Sequence, residues 1–205
     1  MSNKKGSLRD LEERLKRYSP ATLDLFTART DEEFESAFET ILAMVITGLE
    51  QDKNNLSQLN ENALSGILVI ALNAAGLKAT RETNSNGHVD LTIDAGFCTP
   101  MRRKLGEAKI YDGPSHHVEG LEQLLGRYTT GRENRGLMIA YVKKADIAGL
   151  IRKIREEMDA DRPMEQQGET QDNALKWSFI SVHRHSCGDD LQVGHYGCNL
   201  FVSIR

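Results

Sequence analysis

The stretch His88-Val89-Asp90-Leu91-Thr92-Ile93-Asp94, followed after a loop by Gly106-Glu107-Ala108-Lys109-Ile110, decides how this chain is read. Both runs read as β-strands, whose side chains alternate between two faces with a period of two. If they pair as an antiparallel hairpin, the register that sets Asp90 opposite Glu107 centres the turn between Cys98 and Thr99, in a loop containing Gly96 and Pro100. His88 then faces Lys109, Asp94 faces Arg103, and Lys109 shares a face with Glu107. Two acids opposed on one sheet face repel unless a cation lies between them. A hard divalent ion, Mg²⁺ with Mn²⁺ as a substitute, would take Asp90 and Glu107 as oxygen ligands, with the Ala108 carbonyl as a further donor. Such an ion activates water and neutralises charge on phosphate oxygens. A Lys109 ammonium beside it orients the water or stabilises the transition state. Leu91, Ile93, Ala108 and Ile110 wall the site against the core. Asp94 could replace Asp90 as a ligand, but its partner would be Arg103, and a salt bridge is the simpler role.

Outward from this hairpin, helical periodicity dominates the first 75 residues. Ser7 to about Tyr18 reads as a charged helix closed by Pro20. Thr30 and Glu33 form a capping box ahead of Phe34, Phe38, Ile41, Leu42, Val45 and Leu49 on one face. Gln51 to Asn55 reads as a turn. A core helix over about Ser57 to Ala75 carries Leu64, Ile67, Leu68 and Leu72, with Glu61 near its start and Gly76 as C-cap. Strand-like runs follow at Leu77–Thr83, His88–Asp94 and about Lys104–Tyr111, with a turn at Asn84–Gly87, as in a meander. Then come a helix over about His116–Thr130, a central buried strand at Leu137–Val142, a helix over Ala145–Met158, an exposed polar stretch at Glu165–Asn173, and a strand pair, Trp177–His185 and Val193–Ile204, about Gly188. The expected class is α/β: a central mixed β-sheet flanked by α-helices, with an N-terminal helical arm (1–56) ahead of one domain (57–205).

With 39% apolar and 27% charged residues and four prolines, the chain has the composition of an ordered globular protein. No segment approaches the roughly 20 apolar residues of a membrane span, and MSNKKGSLRDLEERLKR has no apolar leader core, so a cytoplasmic address without membrane contact is expected. Three cysteines, Cys98, Cys187 and Cys198, are too few for a disulfide framework. The net charge of -4 is unevenly spread: residues 1–61 carry 8 basic against 12 acidic side chains, residues 101–155 carry 12 against 6. A basic segment around the site is what a phosphate backbone would need; ordinary solvated helix faces are the plainer reading.

Asp90 followed by Glu107-Ala108-Lys109 resembles the PD-(D/E)XK nuclease superfamily, whose signature is an aspartate and then a strand carrying (D/E)-X-K. The order helix, three strands, helix, strand is similar to the family core, and the resemblance spans roughly 57–158. It implies a restriction-endonuclease-like core and a metal-dependent endonuclease acting on DNA. Glu61 resembles the further acidic ligand that the preceding helix often contributes in this family; a helix-start charge favoured by the macrodipole is the other reading. Gln123 and Tyr128 resemble the family's glutamine and tyrosine beside the active site, although four residues separate them here where the common form has three. Arg127, one α-helical turn after Gln123, could contact phosphate, and Arg102, Arg103, Tyr128 and Arg132 complete the expected nucleic-acid contacts. Small prokaryotic nucleases of this kind serve anti-phage defence, which implies an effector governed by a regulatory partner; repair or recombination is the alternative setting, and a non-catalytic binding module of the same fold the alternative activity. Cutting both strands needs two sites, hence a homodimer or larger assembly.

Two further groups carry open readings. His116 and His117 either approach phosphate or sit solvated at a helix start. His183, His185, Cys187, His195 and Cys198 offer zinc-type ligands in a spacing that lacks any C-X2-C pair, so polar strand-face side chains are the simpler expectation.

Overall fold

Capping chemistry sets where the first helices begin. The computed structural model describes residues 7–81, 83–84, 88–133 and 135–203. Ser7 and Asp10 exchange side-chain and backbone hydrogen bonds to open α1 (Leu8–Tyr18). Pro20 does more than close that helix: it starts a new one, α2 (Pro20–Thr27), where a missing N–H leaves no helical bond unmade. The Thr30–Glu33 capping box opens α3 (Asp31–Gln51) as the sequence predicts. The expected turn after it contains a short helix, α4 (Lys53–Leu56). Asn60 caps α5 (Glu61–Ala74) by accepting from the Ala63 amide, a few residues later than the periodicity alone marks.

Among the described residues the main sheet has seven strands. In chain order the strands are β1 (Lys78–Thr80), β2 (Thr83–Asn84), β3 (His88–Val89), β4 (Leu91–Ala95), β5 (Arg102–Ile110), β6 (Arg135–Val142), β7 (Gln171–Asp172), β8 (Ser178–Arg184) and β9 (Asp190–Asn199). Across the sheet they run β1-β4-β5-β6-β9-β8-β7, while β2 and β3 pair separately. The meander β1-β4-β5 is antiparallel, β6 lies parallel to both β5 and β9, and β9-β8-β7 is antiparallel again, so the sheet is mixed, as expected. The parallel pairing of β5 with β6 is bridged by α6 (Pro114–Gln123), which runs on into a π-helical turn (Leu124–Tyr128); α7 (Ile147–Asp161) follows β6. Of the Asn84–Gly87 turn, residues 85–87 lie outside the described residues, as do the His88 side chain and Ile204.

Central β6 divides the core. Leu137, Ile139 and Tyr141 point into a cluster with α2, α3 and α5; Met138, Ala140 and Val142 point into one with α6, the π-turn and α7. Such continuous burial is what a strand covered on both faces requires. Helices α2 and α3 of the N-terminal segment pack on the core: Leu25, Phe34, Phe38 and Leu42 belong to the first cluster.

Charge fastens this packing. Asp31 accepts from Arg102 Nε at 2.7 Å, and Glu35 takes Lys104 Nζ on both oxygens at 2.6 Å; Glu39 pairs with Arg135. Four residues of helix rise about 6 Å and two residues of strand about 6.6 Å, so acids spaced by four on α3 meet cations spaced by two on β5. The uneven charge of the sequence is thus partly an internal match between an acidic helix and a basic strand. Arg102, expected at a phosphate, is instead buried against Asp31 and lies over the Phe34 ring. Lys104 is buried over Phe38, and burial pushes its pKa down against the pull of Glu35.

Glu35→Ala therefore leaves a buried ammonium without its counter-charge and should cost about 3–5 kcal/mol in denaturant unfolding. The double replacement Glu35→Leu with Lys104→Met should cost far less, because no charge is then stranded.

Candidate active site

At Gly106 the antiparallel neighbour of β5 ends. The β4–β5 register sets Leu91 opposite Gly106 and Asp94 opposite Arg103, whose salt bridge measures 2.7 Å. One residue before Leu91 the chain bends at Asp90, so the edge of β5 from Glu107 onward faces side chains in place of a strand. Two of its amides find carboxylates: Ala108 N–H donates to Asp90 Oδ2 at 3.4 Å and Ile110 N–H to Glu61 Oε2 at 2.9 Å. Because the N–H and C=O of one strand residue point the same way, the Ala108 carbonyl emerges on this same edge beside Asp90.

Period-two alternation puts Leu105, Glu107 and Lys109 on one face. Lys109 Nζ sits among the acids, 2.6 Å from Glu107 Oε1 and 3.8 Å from both Asp90 Oδ2 and Glu61 Oε1. Solvent reaches the group unequally: the Glu107 side chain is 1% exposed, Lys109 19%, Asp90 29% and Glu61 34%. Burial, against the hydrogen bond from Lys109 and reinforced by the charge of Asp90, lifts the Glu107 carboxyl to about 7. Burial opposes the charge on Lys109, but the Glu107 hydrogen bond and the neighbouring acids outweigh it and raise its pKa. The second Glu107 oxygen, Oε2, is buried and has no hydrogen-bond partner among the described residues. An ionised oxygen in that position is costly unless a proton or a cation meets it.

The donor set is hard: three carboxylates and a backbone carbonyl, the chemistry that suits Mg²⁺ or Mn²⁺. The orphaned Oε2 adds an open ligand position, so the residues fit such an ion. Among the described residues no three His, Cys, Asp or Glu side chains already stand in ligand positions about a common point, and the Lys109 ammonium is the cation that the acids surround.

Helix α6 lies directly on this strand because Gly120 has no side chain. A Cβ there would stand 2.9 Å from Met138 Cε and 3.5 Å from the Cγ atoms of Glu107 and Lys109. Gln123, half-buried and three residues on, shares the Gly120 face of the helix. Tyr128 is buried; burial first, then the charges of Glu107 and Asp90, raise the pKa of its phenol. The unusual spacing of Gln123 and Tyr128 has a structural counterpart. Leu124–Tyr128 is a π-turn, closed by Thr129 N–H donating to the Leu124 carbonyl at 3.1 Å. In a π-helix residues five apart are one turn apart, as residues four apart are in an α-helix. Residue 128 therefore stands about one turn on from Gln123, near enough to Glu107 and Asp90 for their charges to act on its phenol.

Arg127 and Arg132 are exposed and, among the described residues, make no salt bridge. Arg102 and Arg103 are not brought to the acids: they lie at the opposite end of β5, about 13–17 Å along the strand from Glu107.

Sequence reasoning missed a buried network on the same sheet face. Glu107, Met138, His195 and Phe179 stand in one row across β5, β6, β9 and β8. His195 Nδ1 meets His117 Nε2 at 2.8 Å, His195 Nε2 meets Ser181 Oγ at 2.8 Å, Ser181 Oγ meets His183 Nε2 at 2.7 Å, and His183 Nδ1 meets the Met164 carbonyl at 3.1 Å. A carbonyl only accepts, so with neutral rings the proton lies on Nδ1 of His183; Ser181 then donates to His183, His195 donates to Ser181, and His117 donates to His195. His117 is thus a buried anchor that ties α6 to the sheet, not a solvated or phosphate-facing side chain. The C-terminal His and Cys residues do not form one cluster: Cys198 faces the opposite cluster from His195, and Cys187 is exposed in the loop after β8. The signal available in the sequence was the alternation of Ser181 and His183 on one strand face.

Comparison with known proteins returns no matching family model, no matching curated protein and no matching solved structure.

Opposed titrations follow from this geometry. Burial pushes the pKa of His117 down to about 4 and those of His183 and His195 below the ordinary value, so each adds stability that is complete above about 6.5 and lost as pH falls. Glu107 acts the other way: its folded pKa of about 7 favours the folded state in acid, and that contribution is lost as pH rises from 4.5 through 7. Glu107→Gln should therefore gain on the wild type by on the order of 2 kcal/mol between pH 5 and pH 8 in thermal unfolding, at about 1.4 kcal/mol per pKa unit. A difference independent of pH would return Glu107 to an ordinary carboxyl.

Proposed function

We propose that this protein is a metal-dependent nuclease of the PD-(D/E)XK type that hydrolyses phosphodiester bonds of DNA. The observation that carries the reading is the buried Glu107 Oε2, without a hydrogen-bond partner among the described residues, beside Asp90, Glu61 and Lys109 on an open strand edge. Asp90, Glu107, Glu61 and the Ala108 carbonyl would hold a Mg²⁺ or Mn²⁺ ion. When bound, the ion supplies Lewis-acid activation of water and charge neutralisation at the phosphate. Lys109, whose ammonium lies 2.6 Å from Glu107 Oε1, would present its charge to the attacking water or to the phosphate oxygens. Gln123, on the Gly120 face of α6, orients the scissile group, and the Tyr128 phenol, kept protonated by its surroundings, donates a hydrogen bond. Arg127 within the π-turn and Arg132 just after it supply exposed positive charge for the nucleic-acid backbone. Two copies would be needed to cut both strands, and a defence effector governed by a partner is the setting that the resemblance implies.

A second reading is a non-catalytic binding module of the same fold. It rests on Lys109 already neutralising the acids, which would make the cluster a structural ion network needing no metal.

The two are separated by incubating purified protein with plasmid, linear and single-stranded DNA and with RNA, in Mg²⁺, Mn²⁺ or EDTA. Cleavage of DNA that EDTA stops, with Glu107→Ala, Asp90→Ala and Lys109→Ala each lowering the rate by 10² or more while unfolding stays cooperative, is the expected outcome. Cleavage that persists in Glu107→Ala or Lys109→Ala removes the assignment, and binding without cleavage under all conditions selects the module.

A further inference from the structure

Helix α1 buries none of its residues, yet it carries an apolar stripe. Leu8, Leu11, Leu15 and Tyr18 recur at three- and four-residue spacing, so they lie along one face of an amphipathic helix. Leu8 is 87% exposed, Leu11 54% and Tyr18 78%. In the same molecule an apolar groove of about 820 Å³ opens between α2, α3 and α5, with Ile41, Met44, Val45 and Ile67 among its walls. The structure therefore contains both an uncovered apolar helix face and an unfilled apolar groove.

The stripe cannot reach that groove within its own chain. Ser19 alone joins α1 to α2, donating its N–H to the Leu15 carbonyl and preceding Pro20 directly. An antiparallel helix pair needs a connection of about 2–5 residues, so α1 cannot fold back over a groove that α2 itself lines. Tyr18 stands in the groove wall, which means that α1 leaves the molecule from the place where a second copy's helix would enter. Charge agrees with this direction. The acids that line the groove are Asp24 and Asp52, and Arg14 and Arg17 are cations of α1 that make no salt bridge among the described residues, whereas Arg9 and Lys16 are paired within the helix.

We infer that α1 of one copy seats its Leu8-Leu11-Leu15-Tyr18 stripe in the α2–α3–α5 groove of a second copy, reciprocally about a two-fold axis near Tyr18. The exchange closes on itself, as a dimer with two identical helix-in-groove contacts. It stands independently of the nuclease reading.

Sedimentation of the full chain at micromolar concentration tests the exchange. The wild type should be a dimer; Leu11→Glu with Leu15→Glu, and separately Met44→Glu with Ala74→Glu, should each be monomers that still unfold cooperatively, with a melting temperature that no longer depends on protein concentration, since Leu11, Met44 and Ala74 are exposed and Leu15 is only half-buried. To fix which surfaces touch, Leu11→Cys chains mixed with Met44→Cys chains and oxidised should give disulfide dimers joining position 11 of one chain to position 44 of the other. A monomeric wild type, a groove variant that remains dimeric, or cross-links only between two Leu11→Cys chains each overturns the proposal; the last two would place stripe against stripe.

Discussion

The loss of an antiparallel neighbour along the second half of β5 is the constraint on which the site depends. A strand edge facing the interior must satisfy its amides, and here the carboxylates of Asp90 and Glu61 accept from Ala108 and Ile110 in place of a backbone. That requirement draws two acids from distant parts of the chain to the strand that carries Glu107 and Lys109. Their mutual repulsion is contained by the Lys109 ammonium and by the raised proton affinity of Glu107. The result is a compact group of ionisable side chains that are partly shielded from water and bordered by α6, which approaches closely because residue 120 is glycine.

Other parts of the fold hold this edge in place from both sides of the sheet. On one face the acids of α3 pair with Arg102 and Lys104 at the start of β5, matching helix rise to strand rise. On the other face the chain of hydrogen bonds from the Met164 carbonyl through His183, Ser181 and His195 to His117 fastens α6. Its donor direction is set at one end by an atom that can only accept, so each member has a single consistent proton position as long as the rings are neutral. Acid therefore loosens the support of α6 while relieving the buried charge of Glu107, and the two effects run in opposite directions over the same range of pH.

The π-turn decides where the residues after Gln123 point. An insertion between Gln123 and Tyr128 would rotate the tyrosine by about 100° on an α-helix, at 3.6 residues per turn. Widening one turn to i→i+5 hydrogen bonding returns it toward the acids, at the cost of a rarer backbone conformation.

The sequence by itself determined most of the elements and the inner part of the hairpin. The register expected from opposing Asp90 with Glu107 holds over Leu91–Ala95, where Asp94 meets Arg103, and a one-residue slip would turn every side chain to the wrong face; the expected continuation through Asp90 and His88 does not form, because the chain bends at Asp90 and β3 pairs with β2. The Thr30–Glu33 cap and the buried run of β6 were legible for the same reason: each is a property of neighbouring residues. Tertiary structure decided everything that joins residues far apart in the chain. Glu61 reaches Ile110 across 49 residues, Arg102 turns to Asp31 across 71, and His117 meets His195 across 78. A basic residue reads the same in sequence whether it faces phosphate or a buried acid, and a histidine the same whether it is solvated or hydrogen-bonded in a core. Those outcomes depend on which surface the folded chain sets opposite, and no local pattern encodes that.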